Sequence, residues 1–324
     1  MRTLPYLFLF LITLSACGGD SSDQPADFNI SADNEAFLNE LIDLMRNNSI
    51  SRDTIDWDGF RDEIFEAGRD SEQLNDLYPA IELALVKLGD GHSLFIAPNG
   101  DEVFDPDGPR CADSSIGFPQ VPDNIGYISI PSFSGTSEEG KALAESLQET
   151  IRSQDSQDIL GWIVDLRGNL GGNMWPMLVG VGPLLGEGVC GYFIDPDNLE
   201  IPWSYANGAS TSGSTIRVAI ADPYEVINSN SKIAVLLDQA VASSGEAIGI
   251  SFVGRERTRS FGRATCGLST SNRGFPMRNG SFLLLTGSFL ADRNKLKYGV
   301  PLVPDEEIDQ PATTLARAIE WILD

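Results

Sequence analysis

The only histidine of the chain, His92, is the side chain on which acid–base chemistry near neutral pH would depend. An imidazole titrates at about pH 6.5 and can therefore accept or donate a proton under physiological conditions. His92 lies in the sequence Gly-Asp-Gly-His-Ser at 89–93, after a long apolar segment. Loops on a rigid scaffold often carry catalytic groups. The alternative is that a single histidine is only a packed or surface residue.

A glycine-rich turn follows an apolar segment at 159–165. Its sequence is Asp-Leu-Arg-Gly-Asn-Leu-Gly-Gly, from Asp165 to Gly172. Glycines permit the positive φ angles with which successive backbone N–H groups can point at an anion. The alternative is a tight strand–helix connection. A nucleotide-binding P-loop is not indicated, because the Lys-Ser/Thr pair is absent.

A serine pair follows a second apolar segment, at 233–237, in the sequence Ala-Ser-Ser-Gly-Glu at 242–246. A serine between a strand and a helix is held by a sharp turn, and the helix N-terminus stabilises negative charge beside it. The alternative is that Ser243 or Ser244 caps the helix, with Glu246 in its first turn.

The elements that must position these groups alternate along the chain. Apolar spacing predicts a helical N-terminal domain at 32–91, in which Asp33 can cap the first helix and further helices cover 57–67 and 74–88. Beyond it we predict strands at 125–130, 159–165, 233–237, 259–262 and 281–287, and helices at 138–152, 177–185, 245–253 and 312–323. This alternation predicts an α/β domain.

The N-terminus has the pattern of a secretion signal. An apolar run at 4–14 is too short to span a membrane and ends in Leu-Ser-Ala-Cys, similar to a bacterial lipobox. Residues 1–17 are therefore predicted to be a lipoprotein signal peptide, with Cys17 as the lipidated residue and 18–31 as a flexible tether. Gly18 in place of Asp favours the outer membrane of the cell envelope. The alternative is an ordinary secretory signal with a chance cysteine.

Charge and cysteine content exclude some function classes. The net charge of −25, from 47 acidic and 22 basic residues, argues against nucleic-acid binding. Among Cys111, Cys190 and Cys266 two could pair and one would remain, and the sequence does not say which. With no close cysteine pair and one histidine, no metal site is predicted.

In order and spacing, these motifs resemble the tail-specific (C-terminal-processing) serine peptidase family, including its tricorn-core-like branch. The resemblance covers roughly residues 33–322. Further landmarks are Asp56-Trp57, Gly126-Tyr127-Ile128, Phe261-Gly262, Thr265-Cys266-Gly267 and Pro304-Asp305.

The resemblance implies an α/β fold with a crotonase-like (ClpP/crotonase-type) catalytic core at 92–324, after the small helical domain. It places the nucleophile at Ser243. The backbone N–H of Ser244 and that of Gly171 or Gly172 would form the oxyanion hole.

The resemblance also implies which base activates the serine. One branch of the family uses a lysine at the position of Leu268, and this chain has no lysine between Lys232 and Lys295. The other branch uses the histidine that corresponds to His92. Serine needs such an adjacent base to become a nucleophile at neutral pH.

The groups that would orient the histidine are less well defined by the resemblance. The tricorn-like branch has a serine before its histidine, whereas here Ser93 follows it. The branch takes its carboxylate from the C-terminal segment, for which Asp292 is the candidate. The alternative for Asp292 is a turn residue at a strand end.

Two segments differ in length from the pattern of the family. Between His92 and Tyr127 there is no room for the PDZ domain that many family members carry, and 100–118 is predicted to be a surface flap holding Cys111. Residues 186–230 resemble an insertion over the cleft, and we favour a variable loop there.

The sequence thus predicts a serine endopeptidase that cleaves peptide or protein substrates through an acyl-enzyme, with no metal or organic cofactor and with membrane contact only through the N-terminal lipid. The alternatives are an inactive peptide- or ligand-binding protein of the same fold and an esterase that uses the same site. A crotonase-type acyl-CoA enzyme is disfavoured by secretion. Natural substrate, oligomeric state and any activating partner stay open.

Overall fold

A computed structural model describes residues 30–112 and 120–324. The predicted signal peptide with Cys17, most of the predicted tether and part of the predicted flap lie outside these residues. The helices are α1 Ala32–Asn48, α2 Trp57–Ala67, α3 Tyr78–Leu88, α4 Ser137–Gln154, α5 Met174–Leu185, α6 Ser244–Phe252 and α7 Pro311–Leu323, with a 3₁₀ turn at Leu74–Leu77. The strands are β1 Leu94–Ile96, β2 Glu102–Phe104, β3 Ile125–Ser129, β4 Gly161–Asp165, β5 Gly188–Ile194, β6 Glu200–Ala206, β7 Ala209–Ser212, β8 Thr215–Ala219, β9 Lys232–Leu237, β10 Thr258–Gly262, β11 Thr270–Pro276, β12 Phe282–Ala291 and β13 Glu306–Glu307.

A five-stranded parallel sheet has the order β13-β10-β9-β4-β3. Every residue of β4 is buried, as expected for a parallel strand covered on both faces. Helices α4, α5 and α6 cover one face, and α7 covers the other through Ala318 and Ile322. Sequence periodicity predicted β3, β4, β9, β10 and the four helices, and these are confirmed, whereas the two-residue edge strand β13 was not predicted.

An eight-stranded antiparallel sheet has the order β2-β1-β12-β5-β6-β7-β8, with β11 also paired to β12. Four of its strands, β5 to β8, occupy the segment 186–230, so the preference for a variable loop there was wrong. These strands have polar, partly exposed faces and pair with one another and with β12, which lies far along the chain. Such pairing leaves only a weak local pattern in the sequence.

The N-terminal helices pack against this antiparallel sheet. Their buried side chains share one cluster with Phe95 of β1, Val103 of β2, and Leu283 and Leu285 of β12. The predicted boundary at residue 91 therefore does not separate two hydrophobic cores. Among residues 30–112 and 120–324, no helix is both long and apolar enough to span a membrane.

Candidate active site

The serine turn lies between β9 and α6. Ser243 directly precedes α6 and has φ 51° and ψ −116°. A positive φ is uncommon for a residue with a Cβ and stores strain that functional sites often retain. The turn is fixed because the amide of Ser243 donates a 2.9 Å hydrogen bond to Oε2 of Glu246. This is the strand–turn–helix geometry that presents a serine hydroxyl at a helix N-terminus.

Glu246 connects the serine turn to the loop that follows β10. It is fully buried, and its Oε1 accepts hydrogen bonds from the hydroxyl of Thr265 and the amide of Gly267. Burial raises the pKa of Glu246 to about 7, against the lowering effect of the bonds from Thr265, Gly267 and Ser243. The capping alternative is thus confirmed: Glu246, in the first turn of α6, accepts the amide of Ser243, and it is at the same time a buried brace of the turn.

The glycine turn contacts the serine turn directly. Because β4 and β9 are parallel neighbours, their carboxyl ends meet at one edge of the sheet. The amide of Ala242 donates to the carbonyl of Asn169 at 2.9 Å. The hydroxyl of Ser244 donates to the carbonyl of Gly172 at 2.6 Å. A Cβ placed on Gly171 would lie 2.9 Å from the Cβ of Ser243, so only glycine fits there.

The predicted oxyanion donors are not equivalent. The amide of Gly171 donates to Oδ1 of Asn169 at 2.9 Å and is already occupied. The amides of Gly172 and Ser244 have no acceptor among residues 30–112 and 120–324. Ser244 is the first residue of α6, where an N–H has no partner within the helix. Of the predicted set, Gly172 and Ser244 are thus the pair available to an incoming anion.

An ion pair stiffens the start of the glycine turn. Arg167 binds both carboxylate oxygens of the buried Asp165, at 2.9 and 2.6 Å, and Tyr127 donates to the same carboxylate at 2.9 Å. Burial and the charge of Asp165 raise the pKa of Tyr127, which keeps its hydroxyl protonated. The Nδ2 of Asn169 donates to the carbonyl of Ile130 after β3. The turn is therefore held from two neighbouring strands.

His92 lies between α3 and β1 and is held by strand β11. Its Nδ1 is 2.7 Å from the hydroxyl oxygen of Thr270, and its carbonyl accepts a 2.8 Å hydrogen bond from Asn272. Its amide donates to Asp90 at 2.9 Å. Burial lowers the pKa of His92 to about 4, although the charge of Asp90 acts in the opposite direction. The imidazole is therefore neutral at physiological pH, as a general base must be.

Ser93 lies close to the histidine in the fold but is turned away into the loop. Its hydroxyl donates to Oδ2 of Asp90 at 2.7 Å and accepts the amide of Thr286 at 3.0 Å. Ser93 is buried and fastens the loop of His92 to β12. Its contacts position the loop, and none of its hydrogen bonds reaches the imidazole.

Asp292 is not brought to His92. Its Oδ1 accepts the amides of Asn294 and Leu296 at 2.8 and 3.0 Å, within the turn after β12. The residue is buried and does not line the cleft that contains His92. The position predicted for the carboxylate is thus corrected: Asp292 is a strand-end turn residue, and Thr270 is the side chain that contacts Nδ1.

One cleft of about 1010 Å³ brings together part of the predicted site and Thr270. His92, Thr270, Ser243, Ser244 and Gly172 all line it. Among the described residues, no hydrogen bond joins the imidazole to Ser243. Catalytic hydrogen bonds are often long without substrate and tighten only in the complex. Within the part of the chain that the structure describes, no group of three metal-ligating side chains occurs.

Sequence reasoning missed two residues of this site. Thr270 and Asn272 both hold His92, yet both lie on β11, which was not predicted. Threonine and asparagine are common, and neither forms a motif with residue 92 along the chain. Only the pairing of β11 with β12 and of β12 with β1 brings them together.

A serine under backbone strain, with two unoccupied amides beside it and a neutral imidazole on the same cleft, is typical of hydrolases that use a serine nucleophile. The sequence model of peptidase family S41 matches residues 124–307. The chain belongs to this family of peptidases. The matched range includes Ser243 and the glycine turn, whereas His92 precedes it.

Individual proteins are also similar to this chain. The nisin-resistance protein of Lactococcus lactis subsp. lactis is 30% identical over 204 residues, which are 63% of this chain and 61% of that protein. The chain thus matches about three fifths of the length of that curated relative. A lipoprotein from Streptococcus agalactiae has a TM-score of 0.71 at 21% identity, covering 98% of this chain and 99% of that one. The photosystem II D1 C-terminal processing protease has a TM-score of 0.55 at 15% identity, covering 89% and 97%. At these identities the two structures show a common fold.

Proposed function

We propose that this protein is a serine endopeptidase whose nucleophile is Ser243 and whose general base is His92. The observation that carries the proposal is the strained backbone of Ser243 at the N-terminus of α6, on the cleft that also contains His92. Ser244, the neighbouring alternative, has its hydroxyl bound to the carbonyl of Gly172. Ser243 is therefore the better placed nucleophile of the two.

In the first half of the reaction, Oγ of Ser243 attacks the carbonyl carbon of a peptide bond. Nε2 of His92 accepts the hydroxyl proton, while Nδ1–H donates to Thr270 and fixes the tautomer. The tetrahedral intermediate places its negative oxygen against the amides of Gly172 and Ser244, where the dipole of α6 also favours an anion. The imidazolium then gives its proton to the leaving amine, and the acyl-enzyme remains.

In the second half, a water molecule attacks the acyl-enzyme. His92 accepts a proton from this water and returns it to Oγ of Ser243 as the peptide acid leaves. Because burial lowers the pKa of His92, its protonated form is short-lived, which favours rapid return of the proton. Each of these steps uses side chains and amides of this chain alone.

We place the protein in the histidine-dependent, tricorn-like branch of its family, with a crotonase-like core. In support, the position of the alternative lysine is Leu268, and His92 lies on the cleft. The connection from β2 to β3 covers only residues 105–124, which supports the absence of a PDZ domain. Substrate selection would then depend on the cleft itself.

We further propose that the protein is a lipoprotein of the bacterial cell envelope, anchored through Cys17. The lipobox-like sequence supports this, and a protein of the same fold carries the description of a lipoprotein. Its substrates would be peptides or proteins outside the cytoplasm. Nisin, which appears in the name of the relative from Lactococcus, is one peptide to include among the candidates.

Incubation of the purified protein with a defined peptide library, followed by mass spectrometry, tests the proposal. We expect cleavage within peptides that is lost in Ser243→Ala and His92→Ala but retained in Ser244→Ala at a reduced rate. Hydrolysis of esters without any cleavage of peptides would instead identify an esterase. Binding of peptides without cleavage of either substrate class would identify a binding protein.

A further inference from the structure

The proposed nucleophile and base belong to different sheets. Ser243 follows β9 of the parallel sheet, whereas His92 precedes β1 of the antiparallel sheet. No hydrogen bond among the described residues joins the two side chains. The distance between the side chains of Ser243 and His92 therefore depends on how the loops of the two sheets are held against each other.

One covalent bond joins these two sets of loops. Cys111 follows β2 of the antiparallel sheet, and Cys266 follows β10 of the parallel sheet; the two form a disulfide across 155 positions of sequence. The third cysteine, Cys190, is buried and free. The sequence had left the pairing undecided.

The segment that leads to Cys111 packs against the histidine loop. A Cβ placed on Gly91 would lie 2.4 Å from Cδ of Pro109, so the residue before His92 is in close contact with this segment. The amide of Ala112, on the other side of the cysteine, donates to the carbonyl of Gln239 at 3.3 Å. Residues 108–112 thus bridge the histidine loop and the turn that leads to Ser243.

The Cys266 end is fastened to the serine turn itself. The amide of Cys266 donates to the carbonyl of Val241, two residues before Ser243, at 2.9 Å. Its neighbours Thr265 and Gly267 both donate to Glu246, which accepts the amide of Ser243. The disulfide therefore connects a segment in contact with one catalytic loop to a loop that is hydrogen-bonded to the other.

We propose that the Cys111–Cys266 disulfide is a positioning element of the active site, which holds the loop of His92 against the turn of Ser243. Its reduction consequently lowers turnover while the protein stays folded. Both cysteines are partly exposed, so a dithiol in solution can reach them. The dithiol gives two electrons and two protons to the disulfide, which becomes two thiols as the reductant closes into its own disulfide. The proposal rests on the proposed function.

A disulfide that only stabilises the fold would behave differently. Closing a long loop stabilises a protein mainly by restricting its unfolded chain, which changes Tm but not the rate constants of the folded enzyme. A positioning disulfide changes kcat at temperatures where the protein is fully folded. A misplacement of about 1 Å in an active site can cost about a hundredfold in rate.

The test measures kcat and KM of the full chain on a cleaved peptide, before and after treatment with dithiothreitol, at a temperature well below the measured Tm. We expect reduction to lower kcat about tenfold or more with little change in KM, and reoxidation to restore it. Cys111→Ser and Cys266→Ser should have the low rate with or without reductant. Cys190→Ser, the matched control, should respond to reductant like the unmodified protein. An unchanged kcat after complete reduction would overturn the proposal.

A second measurement does not require turnover, so failure of the proposed function is distinguishable from failure of this inference. His92 is the only histidine, and its imidazole NMR signals therefore need no further assignment. Reduction is expected to move the imidazole signals and the amide signal of Ser243 while the rest of the spectrum stays that of a folded protein. If neither signal moves, the disulfide does not position the site, whether or not the protein cleaves peptides.

Discussion

Nδ1 of His92 lies 2.7 Å from the hydroxyl oxygen of Thr270, in the place where a catalytic triad has a carboxylate. A hydroxyl can fix the tautomer and the ring orientation, but it does not carry the charge that would stabilise an imidazolium. Burial lowers the pKa of His92 to about 4, and the charge of Asp90 opposes this without reversing it. Five expectations for mutants and pH can be measured.

Replacing Thr270 with valine removes the hydroxyl and keeps the shape of the side chain. We expect kcat to fall by about tenfold to a hundredfold with KM nearly unchanged, because the imidazole loses the partner of Nδ1 but substrate contacts remain. Steady-state kinetics on a cleaved peptide checks this. Thr270→Ser keeps the hydroxyl and should retain most of the rate. A valine variant as fast as the unmodified protein would show that Thr270 does not orient His92.

The titration of His92 should occur well below that of an ordinary histidine. Burial disfavours the charged imidazole, so we expect its NMR signals to stay constant from pH 8 to about pH 5 and to move with a midpoint near 4. A single histidine makes the measurement direct. A midpoint near 6.5 would mean that the imidazole is exposed to water.

The same shift makes a prediction for stability. Between pH 6.5 and about 4 the unfolded chain binds a proton at residue 92 and the folded protein does not, so this group reduces the free energy of unfolding as the pH falls. Glu246 has the opposite effect, because its folded pKa of about 7 makes the folded state bind the proton more tightly. The free energy of unfolding is measured with denaturant at several pH values for the unmodified protein and for His92→Gln. Glu246 is present in both proteins, so the difference between them isolates the contribution of the histidine. The unmodified protein should lose more stability on acidification, and equal losses would contradict the prediction.

Alanine at Gly171 should abolish activity by displacing the serine turn. The added Cβ would lie 2.9 Å from the Cβ of Ser243 and 2.8 Å from the carbonyl oxygen of Ala242. Gly100→Ala is a matched control, because Gly100 also has a positive φ, 89°, and nothing within 4 Å of an added Cβ. The control should cost about 1–3 kcal/mol of stability and leave kcat unchanged. Similar kcat losses in both variants would mean that backbone strain, and not contact with Ser243, causes the effect.

Asparagine at Asp292 should affect stability more than catalysis. Both amides of its turn donate to Oδ1, which asparagine keeps, whereas Oδ2, 3.5 Å from the hydroxyl oxygen of Tyr298, becomes an NH₂ group that cannot accept a hydrogen bond. We expect a loss of about 1 kcal/mol in the free energy of unfolding, with kcat retained. A large drop in kcat at unchanged stability would return Asp292 to the catalytic set.

The parts of the fold with strong local patterns were predictable from the sequence. The strands β3, β4 and β9 are short apolar runs, and α4 and α7 have one apolar face, so their positions were correct within a few residues. Strands β5 to β8 were missed because Ser, Thr and Gly interrupt their apolar alternation. Their pairing is determined by neighbours that lie far away in sequence.

In the candidate site, too, the residues with a local sequence pattern could be predicted and those positioned by distant pairing could not. Ser243 and the glycine turn could be located because a buried strand followed by small residues is a local signal. The partner of His92 could not be located, since Thr270 reaches it through two pairs of antiparallel strands. Choosing Gly172 over Gly171 required knowledge that Oδ1 of Asn169 occupies the amide of Gly171. The Cys111–Cys266 pair likewise follows only from tertiary structure.

The most direct test of the central claim is labelling of the purified protein with a fluorophosphonate, which reacts only with a serine that a nearby base activates. The account predicts labelling of the unmodified protein at Ser243, identified by mass spectrometry of the labelled peptide. Ser243→Ala and His92→Ala should not be labelled, whereas Ser244→Ala should be. Labelling that survives in Ser243→Ala, or that is undiminished in His92→Ala, would contradict a histidine-activated Ser243.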